Sequence, residues 1–238
     1  YSSVKSTVLQ LLAFNFVREN WRELGSGALL CAWEDEGADM RRNLQRFIKA
    51  ADRDYGGDHR WMLEKIHYVC RDPGKDRPIA WYAELVDFYR RRHGIRFASL
   101  DPWNEMDHHR DIRQIETEYV RDMMRLFRQV VDSLKIVQLI ATHVPAKIIR
   151  GDGSIEPLKI AHSFGSGNFA NKCDRGLCVV RTKKFEKAIG DTVFRLDKSK
   201  DEETMGTKGT VAASLNTRDF SFDYDGYATD QVQDIWKD

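Results

Sequence analysis

The chain has 238 residues, of which 42% are hydrophobic and 32% are charged, and its formal net charge is +1. This length allows one large domain or two small ones, and the composition excludes a chain that is disordered throughout. The charge balance excludes a global attraction to nucleic acid. Any nucleic-acid binding must therefore come from a local basic patch.

The four cysteines form no CxxC pair and no zinc-binding spacing, and no apolar run is long enough to span a membrane. The chain also lacks the pattern of a signal peptide. We therefore expect reduced core thiols, an intracellular protein and no membrane partner. The sequence opens on Tyr1 rather than Met, which favours a piece of a longer protein.

The first helical pattern, at residues 5–20, opens with Lys5, Ser6 and Thr7. A Lys-Ser/Thr pair at a helix start is typical of a phosphate-binding P-loop. There the backbone N–H groups hold phosphate, the lysine meets the β and γ oxygens, and the hydroxyl ligates magnesium. Val4 replaces the glycine that usually precedes the lysine. An ordinary helix start therefore remains the alternative.

Apolar runs and helical periodicity then alternate, as they do in a mostly parallel α/β sheet. Continuous apolar runs predict inner strands, because such strands are covered on both faces. In one of the helices, the spacing of Trp81, Leu85 and Phe88 predicts the inward face. The predicted inner strands are 28–33, 95–100 and 135–142, and a further strand is predicted at 66–70. The predicted helices are 37–53, 79–92 and 115–134.

Acidic residues follow two of the predicted inner strands. Glu34, Asp35 and Glu36 follow the first, and Asp101 follows the strand at 95–100. Ligands of open α/β sheets bind at the carboxyl ends of the strands. Asp101 is thus a candidate to serve a magnesium ion on nucleotide phosphates, and an acid of the triplet is a candidate general base for water. An acidic turn, and a helix start stabilised by acids, are the ordinary alternatives.

His143 ends the strand at 135–142 and opens a long loop that carries Lys147, Arg150 and Lys159. A lone histidine is usually structural, but beside an Asp-tipped strand it is a candidate sensor of a γ-phosphate. Long loops are often functional, and this one favours a nucleic-acid contact. A surface loop that is basic by chance is the alternative.

The remaining residues alternate between apolar and polar side chains, which predicts antiparallel strands at the C-terminal end of the sheet. We expect one domain over residues 1–225 and a weakly helical tail over 226–238. A strand is predicted at 177–181, and the predicted antiparallel strands are 191–197, 209–215 and 220–224.

Taken together, these segments resemble the RecA-like motor domain of hexameric replicative DNA helicases. The likeness is strongest to phage-type primase-helicases and Twinkle-like helicases, with the DnaB helicases more distant. The motifs that carry it are Asp-Pro-Trp-Asn-Glu at 101–105, Glu-Thr-Glu-Tyr at 116–119, Ala-Thr-His at 141–143 and Gly-Ser-Gly at 165–167. The resemblance implies a three-layer P-loop NTPase domain whose first strand and P-loop start precede Tyr1.

The resemblance also assigns roles to single residues. The implied roles are nucleotide binding for Lys5, Ser6, Thr7, Asp101 and Lys198, magnesium binding for Ser6 and Asp101, catalysis for Lys5, Glu34, His143 and Lys200, and DNA binding for Lys147, Arg150 and Lys159. Glu34 is the implied base for the attacking water, and His143 the implied γ-phosphate sensor. Lys200 stands where the family has an arginine that reaches the neighbouring subunit's ATP site.

The function implied is that of an ATP-dependent DNA helicase motor, which couples hydrolysis at subunit interfaces to translocation on single-stranded DNA during replication. The implied cofactors are ATP and Mg²⁺. The implied setting is a hexameric ring in a bacterial or phage-infected cell, with a primase module upstream in the same polypeptide. Val4 and Lys200 depart from the family pattern, and lysine lacks the forked donors of a guanidinium.

Two further hypotheses stay open. The departures favour a catalytically weakened RecA-like module that binds DNA and assembles a replication protein. A RecA-type recombination or regulatory ATPase is the third hypothesis, and the Asp-Pro-Trp-Asn-Glu and Gly-Ser-Gly segments favour the helicase over it.

Overall fold

A computed structural model describes residues 4–72, 74–143, 159–163, 167–181, 192–205, 207–216 and 221–223. Lys147, Arg150 and the predicted tail at 226–238 lie outside these residues. The described residues form two compact units. The first contains the residues up to Arg113 and Arg125–Thr142, and the second contains Gln114–Met124 and the residues from His143 to Asn216.

The first unit is built on a four-stranded parallel sheet in the order β2-β1-β3-β4. The α/β class is confirmed, and β1 and β3 are inner strands as predicted. The last strand is shorter than predicted and lies at the edge of the described sheet instead of inside it, because among the described strands it pairs only with β3. The strands are β1 (Gly27–Ala32), β2 (Ile66–Cys70), β3 (Ile95–Asp101) and β4 (Val137–Ile140), and the helices are α1 (Val4–Leu24), α2 (Gly37–Tyr55), α3 (Met62–Lys65), α4 (Ile79–His93) and α5 (Glu116–Leu134). The residues of α5 up to Met124 belong to the second unit.

The direction of the chain through this sheet reverses between β1 and β3. From β1 the chain passes through α2 to β2 on one side, and α4 and α5 then lead to β3 and β4 on the other. Because such crossovers are right-handed, α2 covers one face of the sheet, and α4 and α5 cover the other. Ring contacts between Phe14 and Phe47, and between Tyr82 and Phe127, join α1 to α2 and α4 to α5. In sheets of this topology, the crevice that binds ligands lies at the carboxyl ends of the two strands where the direction reverses, here β1 and β3.

The inward face of α4 differs from the prediction. Ile79, Tyr82 and Val86 are buried, whereas Phe88 is 56% exposed. Both sets follow the spacing of one helical face and differ by about 100° of rotation, so periodicity alone does not choose between them. Trp81 packs edge-on against Trp33 at a ring separation of 6.0 Å.

The connection from α1 to β1 contains two glycines with different roles. Gly25 has a positive φ of 59° and donates its N–H to the Trp21 carbonyl at 2.8 Å, which ends the helix. Gly27 is the first residue of β1. A Cβ atom on Gly27 would lie 2.5 Å from the carbonyl oxygen of Lys65. The backbone before β2 thus leaves no room for a side chain there.

Replacing Gly27 by Ala is therefore expected to destabilise the fold by about 1–3 kcal/mol, since a backbone carbonyl must move. Urea unfolding followed by tryptophan fluorescence measures the change. Gly209→Ala is the matched control, because nothing lies within 4 Å of its Cβ position. Equal stability of the two variants would contradict the close approach of Gly27 to Lys65.

The second unit contains a separate four-stranded sheet in the order β5-β6-β7-β8, in which β5/β6 and β6/β7 are antiparallel. The predicted strands are present, but they pair with one another instead of extending the parallel sheet. Consecutive antiparallel strands can satisfy their hydrogen bonds locally. The elements are α6 (Asn168–Lys172), β5 (Arg175–Arg181), β6 (Thr192–Ser199), α7 (Glu202–Met205), β7 (Gly209–Asn216) and β8 (Ser221–Asp223).

All four cysteines, Cys31, Cys70, Cys173 and Cys178, are free thiols, as predicted, but only Cys31 is a buried core residue and the other three are partly exposed. Within the described ranges, no helix combines the length and apolarity needed to cross a bilayer.

Candidate nucleotide site

The carboxyl ends of β1 and β3 lie side by side. Ala32 pairs with Asp101 in parallel register, and the N–H of Trp33 donates to the carbonyl oxygen of Asp101 at 2.8 Å. Glu34 and Asp35 follow directly, so they reach the same edge of the sheet as Asp101. This edge is where the chain direction reverses, which is the usual ligand position in an open α/β sheet.

The first turn of α1 brings polar side chains to this edge. Ser6 and Thr7 are only 3% and 7% exposed, which is uncommon for hydroxyl residues. The Ser6 hydroxyl is hydrogen-bonded with the carboxylate of Asp101. The Lys5 ammonium donates to the carbonyl oxygen of Thr142, just after β4, at 3.5 Å. The ends of three parallel strands therefore surround the start of α1.

Lys5 and Asp101 perturb each other's protonation. Burial lowers the pKa of Lys5, and the charges of Asp101 and Glu34 oppose that shift. Burial raises the pKa of Asp101, while the hydrogen bond from Ser6 and the charge of Lys5 act in the opposite direction. A desolvated cation and a desolvated carboxylate thus share one edge, together with Glu34. Groups whose pKa values are shifted by burial and by a charged partner in a crevice are candidates for functional residues.

Asp101 carries the clearest sign of a missing ligand. The residue is 5% exposed, and its Oδ1 has no hydrogen-bond partner among the described residues. Burying an unpaired carboxylate oxygen is costly. Mg²⁺ prefers hard oxygen ligands such as a carboxylate and a hydroxyl. Asp101 and Ser6 therefore fit this ion.

The donor set also fits the way Mg²⁺ is bound at nucleotide sites. In the part of the chain that the structure describes, no three His, Cys, Asp or Glu side chains form a ready-made metal cage. Mg²⁺ at a nucleotide needs only one or two protein carboxylates, because phosphates and waters complete its shell.

Sequence reasoning missed a polar chain beside the predicted residues. Asn43 donates from its side-chain amide to Gln10 Oε1 at 3.1 Å, and Gln10 donates from Nε2 to Asp35 Oδ2 at 3.4 Å. The Ser6 hydroxyl is also hydrogen-bonded with Asp35. The acidic triplet was the only available signal, and it did not show which acid turns inward.

Lys198 and Lys200 lie in the second unit, where each has its own partners. Lys198 donates to the carbonyl oxygens of Ala170 and Asn171 at the end of α6. Lys200 pairs with Asp174 at 3.6 Å, and its side chain is 68% exposed. The predicted roles of both lysines in an ATP site stay predictions.

The other predicted residues of this unit are His143 and Lys159. His143 comes three residues after the end of β4, and Lys159 precedes a 3₁₀ turn, Ile160–His162. Lys159 is the one predicted DNA-binding residue that the structure describes, and it is partly buried.

Comparison with known proteins adds to this geometry. No family model matches the chain. A solved ATPase domain superposes with a TM-score of 0.65 at 14% identity, covering 92% of this chain and 79% of that one. A DnaB-like replicative helicase, solved in a study of its interactions with primase, also gives 0.65 at 14% identity, covering 91% of this chain and 54% of that one.

The chain has the RecA-like fold of these ATPase domains. In sequence, this RecA-like domain is 30% identical over 169 residues to the Twinkle homolog protein, chloroplastic/mitochondrial, of Arabidopsis thaliana. That match covers 71% of this chain and 23% of the Arabidopsis protein. The chain thus spans less than a quarter of the length of the curated relative that it matches.

Proposed function

We propose that this RecA-like domain is the motor of an ATP-dependent DNA helicase, with its ATP site at the carboxyl ends of β1 and β3. The observation that carries the proposal is the convergence of Lys5, Ser6 and Asp101 at the crevice, with one buried Asp101 oxygen lacking a partner among the described residues. The 30% identity to a Twinkle homolog supports a helicase over other RecA-like ATPases.

In this proposal Lys5 binds the β- and γ-phosphate oxygens of ATP, and Thr7 extends the phosphate-binding turn. Ser6 and Asp101 hold Mg²⁺, which neutralises charge that builds up on the phosphates during transfer. Backbone N–H groups of the first turn of α1 face the phosphates, as at other helix N-termini. Positioning and charge stabilisation therefore supply most of the rate acceleration.

Glu34 is the proposed general base. The oxygen of a water molecule attacks the γ-phosphorus, the bond from that phosphorus to the bridging oxygen breaks, and Glu34 takes the proton from the water. ADP and inorganic phosphate are the products. Glu34 is exposed at the edge of the sheet, where water reaches it, and it acts electrostatically on Lys5. His143 is the proposed sensor of the γ-phosphate.

The proposed assembly is a hexameric ring around single-stranded DNA, with a primase module upstream in the same polypeptide. Lys198 and Lys200 then serve the ATP site of the neighbouring subunit. The exposure of Lys200 at the end of β6 supports this role, because a residue acting on a neighbour must be reachable from outside its own subunit.

Lys200→Arg is expected to raise the ATPase rate of the assembled protein by about tenfold, a small part of the 10³–10⁵ that an arginine finger contributes in GTPases. A guanidinium can contact two phosphate oxygens at once, whereas an ammonium acts as a point charge. Phosphate release measured at saturating ATP checks this, with Lys208→Arg, another exposed lysine of the second unit, as the control. If Lys200→Arg assembles into a ring of wild-type size and its ATPase rate is unchanged, Lys200 does not act at the neighbouring ATP site.

Single-stranded DNA is proposed to bind the loop that carries Lys147, Arg150 and Lys159, mainly through phosphates. Replacing Lys147 and Arg150 together by Ala should weaken binding and flatten its salt dependence. The log–log slope should fall by about 0.7 for each phosphate that is no longer neutralised. Fluorescence anisotropy at several salt concentrations measures both effects. The ATPase rate without DNA should change little, and wild-type affinity and slope in the double variant would contradict the assignment.

A catalytically weakened module that binds DNA and assembles a replication protein is the second candidate. Val4 in place of a P-loop glycine, and Lys200 in place of an arginine, favour it. A phosphate-release assay with and without single-stranded DNA separates the two. A motor should hydrolyse ATP, and DNA should stimulate it. A weakened module should bind DNA, but its phosphate release in the presence of DNA should not exceed the background rate of an Asp101→Asn variant.

A further inference from the structure

The three acids after β1 differ in how deeply they lie. Glu34 and Glu36 are exposed, whereas Asp35 is partly buried. Burial raises the pKa of Asp35, the hydrogen bond with Ser6 opposes this shift, and the charges of Glu34 and Asp39 add to it. Asp35 is therefore the acid of the triplet that turns toward the protein.

A chain of amides fixes the position of the Asp35 carboxylate. Gln10 is 3% exposed, and its Oε1 accepts a hydrogen bond from Asn43 at 3.1 Å. The Nε2 group of the Gln10 amide is then free to act as a donor, and it donates a hydrogen bond to Asp35 Oδ2 at 3.4 Å. Two buried or partly buried amides are thus committed to holding one carboxylate in place.

Asp35 and Asp101 converge on one hydroxyl. Ser6 is hydrogen-bonded with each of them, but a hydroxyl has a single proton and can donate to only one carboxylate at a time. Asp101 Oδ1 remains without a partner among the described residues. A cavity of about 10 Å³ is lined by Ser6, Gln10 and Asp101, which is room for one water-sized species. Asp35 does not line this cavity but is hydrogen-bonded to Gln10 beside it. Two carboxylates and a hydroxyl are the kind of hard oxygen ligands that a divalent cation prefers.

We propose that Asp35 is a second carboxylate of the cation site, acting with Asp101 and Ser6. It would give this protein affinity for Mg²⁺ or Mn²⁺ before any nucleotide is bound. This inference rests on the proposed ATP site and adds a ligand that the assigned P-loop residues and Asp101 do not include. The alternative is that Asp35 only ties the loop after β1 to α1 through Gln10.

The test is titration of the nucleotide-free protein with Mn²⁺, followed by the decrease of the free-ion electron paramagnetic resonance signal. Wild-type protein should bind one Mn²⁺, and Asp35→Asn should weaken that binding by about 10–100-fold, the usual effect of removing a group that supports a metal site. The Asn variant keeps an oxygen that can accept from Gln10, so it removes the charge and keeps the hydrogen bond. Asp54→Asn is the control, because Asp54 is exposed, pairs with Arg53 at the end of α2, and is not among the charges that act on Asp35.

The outcomes separate this inference from the proposed function. If Asp101→Asn loses Mn²⁺ and Asp35→Asn binds it as wild type does, Asp35 is not a ligand and the ATP site stands. If neither substitution changes Mn²⁺ binding, both proposals fail. If wild-type protein binds no Mn²⁺ without nucleotide, the inference about Asp35 is overturned. Thermal melting of Asp35→Asn in EDTA tests the purely structural alternative. If Asp35 only tethers the loop after β1, the substitution should lower the melting temperature of the protein and leave its affinity for Mn²⁺ unchanged.

Discussion

Glu34→Gln is expected to slow ATP hydrolysis by about 10²–10⁴-fold, the usual contribution of a positioned general base. The amide keeps the size of the side chain but cannot take a proton from water. Nucleotide binding should persist, because Lys5, Ser6 and Asp101 are untouched. Single-turnover phosphate release and binding of a fluorescent ATP analogue measure the two quantities separately.

The neighbouring acids are the matched controls for this substitution. Glu36→Gln changes an exposed acid two residues away and should leave the rate within about twofold of wild type, as surface changes usually do. Asp35→Asn tests whether Asp35, instead of Glu34, is the general base. If Asp35→Asn abolishes turnover at saturating Mg²⁺ while Glu34→Gln has no effect, the base is Asp35 and the proposed alignment of the triplet is wrong.

Lys5→Ala is expected to remove most of the affinity for nucleoside triphosphate. A hydrogen bond to a charged group contributes about 1.5–3 kcal/mol, so its removal should weaken binding by about 10–10²-fold. The effect should be larger for ATP than for AMP, since the proposed contacts are to the β and γ oxygens. Isothermal titration with both nucleotides in the presence of Mg²⁺ measures the difference.

Lys49→Ala controls for the removal of a lysine at an exposed position of α2. It should bind both nucleotides as wild type does. A thermal melt of Lys5→Ala without nucleotide checks that removing the hydrogen bond to Thr142 does not unfold the start of α1. An equal decrease of ATP and AMP binding, in a folded variant, would place Lys5 away from the phosphates.

The strands were predictable because burial on both faces leaves a continuous apolar run. All six residues of β1 are buried, and the run from Ala28 to Trp33 could be read directly from the sequence. The position of Asp101 followed from the same logic, since an acid that ends a buried strand must reach its carboxyl edge. The resemblance to helicase motors then supplied the candidate roles of Lys5 and Ser6.

The features that sequence reasoning missed depend on long-range contacts. The predicted inward face of α4 was wrong because the sets that contain Phe88 and Val86 are equally periodic, and only packing distinguishes them. The chain from Asn43 through Gln10 to Asp35 joins residues that are 33 and 25 positions apart. No local pattern marks such a chain. The antiparallel strands were predicted, but alternation predicts a strand and not its partner, so it did not show that they form a sheet of their own.

The central claim is that Mg-ATP binds at the carboxyl ends of β1 and β3, against the first turn of α1. A crystal structure of the protein with Mn²⁺ and a non-hydrolysable ATP analogue tests it most directly, because the anomalous signal of Mn²⁺ locates the ion independently of the nucleotide. We predict a single strong peak beside Ser6 and Asp101, with the triphosphate along Lys5. A well-ordered analogue and an Mn²⁺ peak anywhere else, with Asp101 Oδ1 still unpartnered, would contradict the account.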